Sequence, residues 1–140
     1  MTPTERGMLD TNILILLADI DADDLPTVSA ISAVVLGELA AGVHHAPDDA
    51  TRAARLASLQ QAESDFDAYP YTAECARVFG RLSAAVRAIG RSSRRRTADL
   101  MIAATSAVEG VPLYTTNPDD YRGIDELVEV IAVPRPASRG

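Results

Sequence analysis

Three carboxylates of this chain stand in stretches that are otherwise apolar. Asp10 ends the run Gly7-Met8-Leu9, Glu38 lies between Leu36 and Leu39, and Asp99 is followed directly by Leu100, Met101 and Ile102. Taking an ionised carboxylate out of water is costly unless something neutralises it. One explanation serves all three: a divalent cation with hard oxygen ligands, Mg2+ or Mn2+, held by acids pooled from separate elements. Each acid alone also has an ordinary structural reading. An aspartate after a strand caps helices, and an acid in the first turn of a helix is favoured by the macrodipole.

The basic residues raise a second possibility. The net charge is −7, which by itself argues against a polyanion as partner. All thirteen basic residues are arginine, however, and Arg91, Arg94, Arg95 and Arg96 fall within six positions. Guanidinium groups bind phosphate bidentately, so this cluster can hold a nucleic-acid backbone locally; the alternative is a solvated loop of charges. Other residues read as structural. His44 and His45 suit the negative end of a helix and have no partners for zinc. Tyr69, Tyr71 and Tyr121 suit packing better than base stacking. The lone Cys75 has no second cysteine and reads as a semi-buried thiol.

To bring the three acids together the chain needs elements that converge. Gly7 to Leu9 reads as a short buried strand feeding a helix from Asn12, with Asp10 or Thr11 as its cap. After the acidic loop DIDADDLP, the segment TVSAI reads as a strand and Ser32 as the N-cap of a helix over 33–45. A surface helix is expected over 48–62 and an edge strand over 66–71, limited by Pro70. Thr72 then caps a long helix through Ala88, ended by Gly90. Beyond the arginine-rich loop, Thr97 precedes a helix through Glu109 with Gly110 at its end, and strands are expected over 112–116 and 128–131. Strands alternating with helices imply an α/β fold, a central parallel sheet covered by helices on both faces, with function at the carboxyl ends of the strands.

The length of 140 residues suits one domain, taken here as residues 1–133 with a disordered tail over 134–140. With 47% apolar residues, few aromatics and no tryptophan, the core is expected to be aliphatic. The first residues carry no secretory pattern and no run suffices to cross a bilayer, so a soluble, cytoplasmic protein without a membrane partner is expected. The arginine-only, alanine-rich composition suggests a bacterial source.

Four short motifs in order, D-T-N at Asp10, S-x-x-x-x-x-E-L-x-x-G from Ser32, A-D-x-x-I-A-A-T around Asp99 and T-x-N-x-x-D-Y from Thr115, resemble the PIN-domain ribonucleases, particularly their VapC-type toxin branch. The resemblance spans Leu9 to Ile124. It implies a PIN-like three-layer sandwich, an acidic pocket holding Mg2+ or Mn2+, and hydrolysis of RNA phosphodiesters by the toxin of a toxin-antitoxin pair. Carried over by position, it makes Asp10, Glu38 and Asp99 the metal-holding and catalytic acids. At the fourth position the family has Asp or Asn, and here Asn117 stands there; Asp120 matches the aspartate of the usual D-F pair, and Asp119 adjoins it. Thr11 and Thr115 offer hydroxyls near metal or phosphate. Arg94, Arg95 and Arg96 are candidates for the RNA backbone. The implied partners are an RNA substrate, an antitoxin that blocks the acidic pocket, and a second copy of the chain.

Two rivals compete. A receiver or haloacid-type phosphoryl-transfer module needs a lysine, which the chain lacks, and the latter also needs an aspartate where Asn12 stands. A non-catalytic binding module on the same fold is favoured by Asn117 and disfavoured by the three intact acids.

Overall fold

The computed structural model describes residues 5–137. Its five strands are β1 (Arg6–Leu9), β2 (Val28–Ser32), β3 (Asp67–Tyr69), β4 (Leu113–Thr115) and β5 (Val130–Ala132). They form one sheet in the order β3-β2-β1-β4-β5, with every neighbouring pair parallel. The helices are α1 (Thr11–Ile15), α2 (Ala33–His44), α3 (Asp49–Asp65), α4 (Ala73–Ala88) and α5 (Thr97–Glu109). Together they complete a three-layer α/β sandwich. Central β1 carries β2 on one side and β4 on the other. The chain therefore winds outward in two directions from β1, and the crevice between the carboxyl ends of β1 and β4 is the switch point where parallel sheets bind ligands.

Local chemistry sets the element ends. Asp10, Ser32, Asp48 and Thr72 each accept a backbone amide at the start of their helix, and each such cap contributes about 1 kcal/mol. Gly110 ends α5 in the left-handed region at φ 68°, where a Cβ would be strained. Gly7 is required for a different reason. A Cβ there would lie 2.5 Å from the Tyr114 ring and 2.9 Å from Pro26.

The core is aliphatic as expected: Met8, Leu9, Ile13, Ile31, Val35, Leu82, Leu100, Ile102 and Leu113 are fully buried. Each such side chain contributes roughly 1.5–3 kcal/mol. Several element ends differ from the pattern reading. The first helix stops at Ile15 and tightens into a 3-10 turn over Leu17–Asp19, because the acidic loop that follows offers no further apolar face. The edge strand shrinks to Asp67–Tyr69, and the last strand shifts to Val130–Ala132, where it pairs with β4. Thr97 falls inside α5, its hydroxyl bonding back to the Arg94 carbonyl at 2.9 Å. Arg94–Arg96 form a 3-10 turn rather than an open loop. Of the tail, residues 134–137 carry no helix or strand, and 138–140 lie outside the described residues. Among the described residues, no helix is long and apolar enough to cross a membrane.

Candidate active site

Asp10 follows directly on β1, so the strand carries it to the switch-point crevice. Asp10 as a residue is only 3% exposed, and four donors surround its carboxylate. The Thr11 amide donates to Oδ1 at 2.9 Å. Oδ2 receives the Tyr121 hydroxyl at 2.8 Å, the Thr115 hydroxyl at 2.9 Å and the Asn12 amide at 3.2 Å. Burial pushes the Asp10 carboxyl above its usual range, and these hydrogen bonds, Tyr121 first, hold it back toward the charged form. The network reaches on into β4. Asn12 accepts the Thr116 amide through Oδ1 at 3.1 Å, and the Asn117 amide donates to the Thr115 hydroxyl at 3.0 Å.

Glu38 arrives from the second turn of α2. The Ser32 hydroxyl starts that helix by accepting the Val34 amide at 3.0 Å, and it meets the buried Thr105 hydroxyl of α5 at 3.3 Å. This contact links the start of α2, which carries Glu38, to α5, which carries Asp99. Glu38 Oε1 accepts the Thr11 hydroxyl at 2.6 Å, which ties it to the residue capped by Asp10.

Asp99, in the first turn of α5, is the least compensated of the acids. Among the described residues no donor reaches its carboxylate by a hydrogen bond. Burial raises its pKa from 3.8 to about 7, with Asp10, Asp120 and Glu38 adding like-charge repulsion in that order against a smaller opposing pull from Arg96. The fold has thus drawn Asp10, Glu38 and Asp120 close enough to Asp99 to act on its charge. No group of three or more His, Cys, Asp or Glu side chains among the described residues makes a preformed metal cage. Magnesium does not need one: it keeps several waters and is usually bound by one or two carboxylates plus substrate oxygens. An under-compensated carboxylate beside three others fits a hard divalent cation as the missing countercharge.

The remaining candidates divide. Asp120 is ion-paired to Arg96 and Asp119 to Arg91 and Arg122, so both acids of the 3-10 turn Pro118–Tyr121 have cationic partners. Asn117 contributes its backbone amide to the network, while its side-chain oxygen receives Arg135 at 3.4 Å. Among the described residues the side chains of Arg94 and Arg95 make no hydrogen bond or ion pair. Arg95 lines a cleft of about 360 Å3 with Arg91, Ser92 and Arg96. On the other flank, Glu38 and Thr11 border a second cleft of about 480 Å3, whose apolar wall includes Leu14, Ile15, Leu39 and Ala54. His44 and His45 are exposed and Cys75 is buried, apart from this site.

Two residues of the Asp10 network were not apparent from sequence. Asn12 stands in the D-T-N motif and where a haloacid-type module would need an aspartate, and Tyr121 reads there as packing rather than base stacking. The signal for the tyrosine is general: a buried phenol hydroxyl takes a hydrogen-bond partner.

The PIN domain matches residues 7–127 of the chain. Ribonuclease VapC5 of Mycobacterium tuberculosis is 34% identical over 137 residues, covering 94% of this chain and 98% of that protein. Ribonuclease VapC8 of the same species is 35% identical over 104 residues, covering 74% and 92%. Among solved structures, VapBC-5 from M. tuberculosis, a member of the VapBC family of toxin-antitoxin systems, superposes with a TM-score of 0.80 at 35% identity. That superposition covers 92% of this chain and 99% of the other.

Proposed function

The chain belongs to the PIN-domain family in its VapC-type branch, and from that premise we propose that it is a divalent-metal-dependent endoribonuclease, the toxin of a toxin-antitoxin pair. The observation that carries the metal-dependent reading is the Asp99 carboxyl, half-buried, without a donor, and raised to about 7 by burial and three neighbouring acids. Asp10 and Asp99 would hold Mg2+ or Mn2+, with Glu38 helping to place the ion through a water. When bound, such an ion lowers the pKa of a coordinated water and polarises the phosphate.

The chain's own groups do the rest. Asp10 is held by its four donors, so its orientation is set before substrate arrives. Glu38, anchored at one oxygen by Thr11, keeps the other for orienting the attacking water. Arg96 fixes Asp120 at the rim of the pocket. Arg94 and Arg95, exposed and unpaired among the described residues, would receive the phosphates of the RNA backbone. The expected products carry a 5′-phosphate and a 3′-hydroxyl. Asn117 acts through its backbone and leaves the acidic set at Asp10, Glu38, Asp99 and Asp120.

The antitoxin reading has its own support. The cleft beside Glu38 has an apolar wall, and Ile15 on its edge is 70% exposed. An apolar helix of the antitoxin seated there would shield Ile15 and reach the acids with a basic side chain. A homodimer and a cytoplasmic location complete the proposal.

The deciding experiment is cleavage of a mixed RNA panel by purified protein in Mg2+, Mn2+ or EDTA, with Asp99→Asn alongside. Cleavage that needs metal and disappears in the variant supports the reading. Absence of metal-dependent cleavage from antitoxin-free protein would instead favour a PIN-fold binding module, for which the asparagine at 117 is the specific argument.

A further inference from the structure

We propose that the Tyr121 hydroxyl is a positioning group that locks the Asp10 carboxylate so that Oδ1, and not Oδ2, faces the cation. This rests on the metal-dependent reading above. Tyr121 is fully buried at the end of the turn Pro118–Tyr121, and its hydroxyl lies 2.8 Å from Asp10 Oδ2. That oxygen also receives Thr115 at 2.9 Å and Asn12 at 3.2 Å. A carboxylate oxygen offers about two lone-pair directions, so three donors leave Oδ2 no room for a metal. Oδ1 accepts only the Thr11 amide and keeps a direction free. Asp10 therefore binds through one oxygen, and the donors on the other set which way it points.

Packing does not require the hydroxyl. A phenylalanine ring would fill the same volume in the cluster formed with Met8, Leu100, Ile124 and Val128. Asn12 and Thr115 come from elements on either side of the switch point, α1 and β4, whereas Tyr121 closes the carboxylate from the turn that follows β4. Removing its hydroxyl takes away the shortest of the three bonds to Oδ2 and loosens the carboxylate's orientation, while leaving the surrounding apolar contacts intact. Partners of metal-bound carboxylates act in this way, and losing one typically weakens metal affinity about 10- to 100-fold.

The test is Mn2+ binding by calorimetry and by electron paramagnetic resonance, with melting curves, on the wild type, Tyr121→Phe, Asp10→Asn and Ile124→Val. The last is a packing control in the same cluster. Tyr121→Phe is expected to weaken Mn2+ binding about tenfold while keeping a native far-ultraviolet spectrum and a cooperative melt, and Ile124→Val is expected to lower the melting temperature without moving the affinity. Wild-type affinity in Tyr121→Phe, with binding lost in Asp10→Asn, overturns the positioning role and leaves the metal site standing. A Tyr121→Phe protein that fails to fold, or affinity losses that follow melting temperature in both Tyr121→Phe and Ile124→Val, also overturns it by making the role structural. No Mn2+ binding by the wild type, or unchanged binding by Asp10→Asn, overturns the metal-dependent reading and the positioning role together.

Discussion

Asp99→Asn should stabilise the metal-free protein, and the gain should grow with pH. The Asp99 carboxyl is raised from 3.8 to about 7 by burial and by Asp10, Asp120 and Glu38. A carboxyl with a raised folded-state pKa binds more protons folded than unfolded between those two values. Stability is then greatest below the unfolded pKa and falls as pH rises toward the folded one. Taken bare, the full change is worth about 4 kcal/mol, of which roughly two thirds falls between pH 5 and pH 8. Asp99 is only half-buried, and screening by solvent reduces that portion to about 1 kcal/mol. Asparagine is close to the protonated acid in shape and carries no charge at either pH. For a chain of this length the variant's advantage in melting temperature should therefore widen by about 4 °C from pH 5 to pH 8. Melting curves in EDTA at both pH values measure this, and the comparison cancels any constant effect of the substitution. Saturating Mg2+ should reverse the ranking at pH 8, since only the wild type gains from binding. An advantage that is absent, or equal at the two pH values, would refute the electrostatic account of Asp99.

Other perturbations test separate parts. Gly7→Ala places a Cβ against the Tyr114 ring and Pro26, and is expected to cost about 1–3 kcal/mol in urea unfolding; a neutral result would mean that β1 and β4 can separate locally. Arg94→Gln with Arg95→Gln should weaken RNA binding and reduce its salt slope by between one and two, leaving melting temperature unchanged; an unchanged slope would place the RNA elsewhere. Ile15→Asp, at a 70% exposed position on the apolar cleft, should abolish co-purification with the antitoxin while metal-dependent cleavage persists, and retention of the complex would remove that cleft as the docking site.

Much of this protein was legible in local sequence because the causes are local. Ser32 and Thr72 cap their helices through amides two and three residues on. Gly110 ends α5 for a steric reason, and the alternation of β-branched strands with amphipathic helices fixed a parallel α/β sheet. The apolar run that ends in Asp10 and the charge of Asp99 amid apolar neighbours marked both as candidates without a fold in view.

What the tertiary structure decided are the pairings that no window of sequence contains. Tyr121 and Thr115 reach Asp10 across 111 and 105 residues, Arg96 takes Asp120 across 24, and Ser32 meets Thr105 across 73. Helix and strand periodicity reports only which face of an element is apolar; it carries no record of what that face meets. Whether a tyrosine is packing or a donor, and whether an acid is free or ion-paired, depends on atoms brought close by strand order. In this chain, that order sets β4 beside β1 although more than one hundred residues separate them.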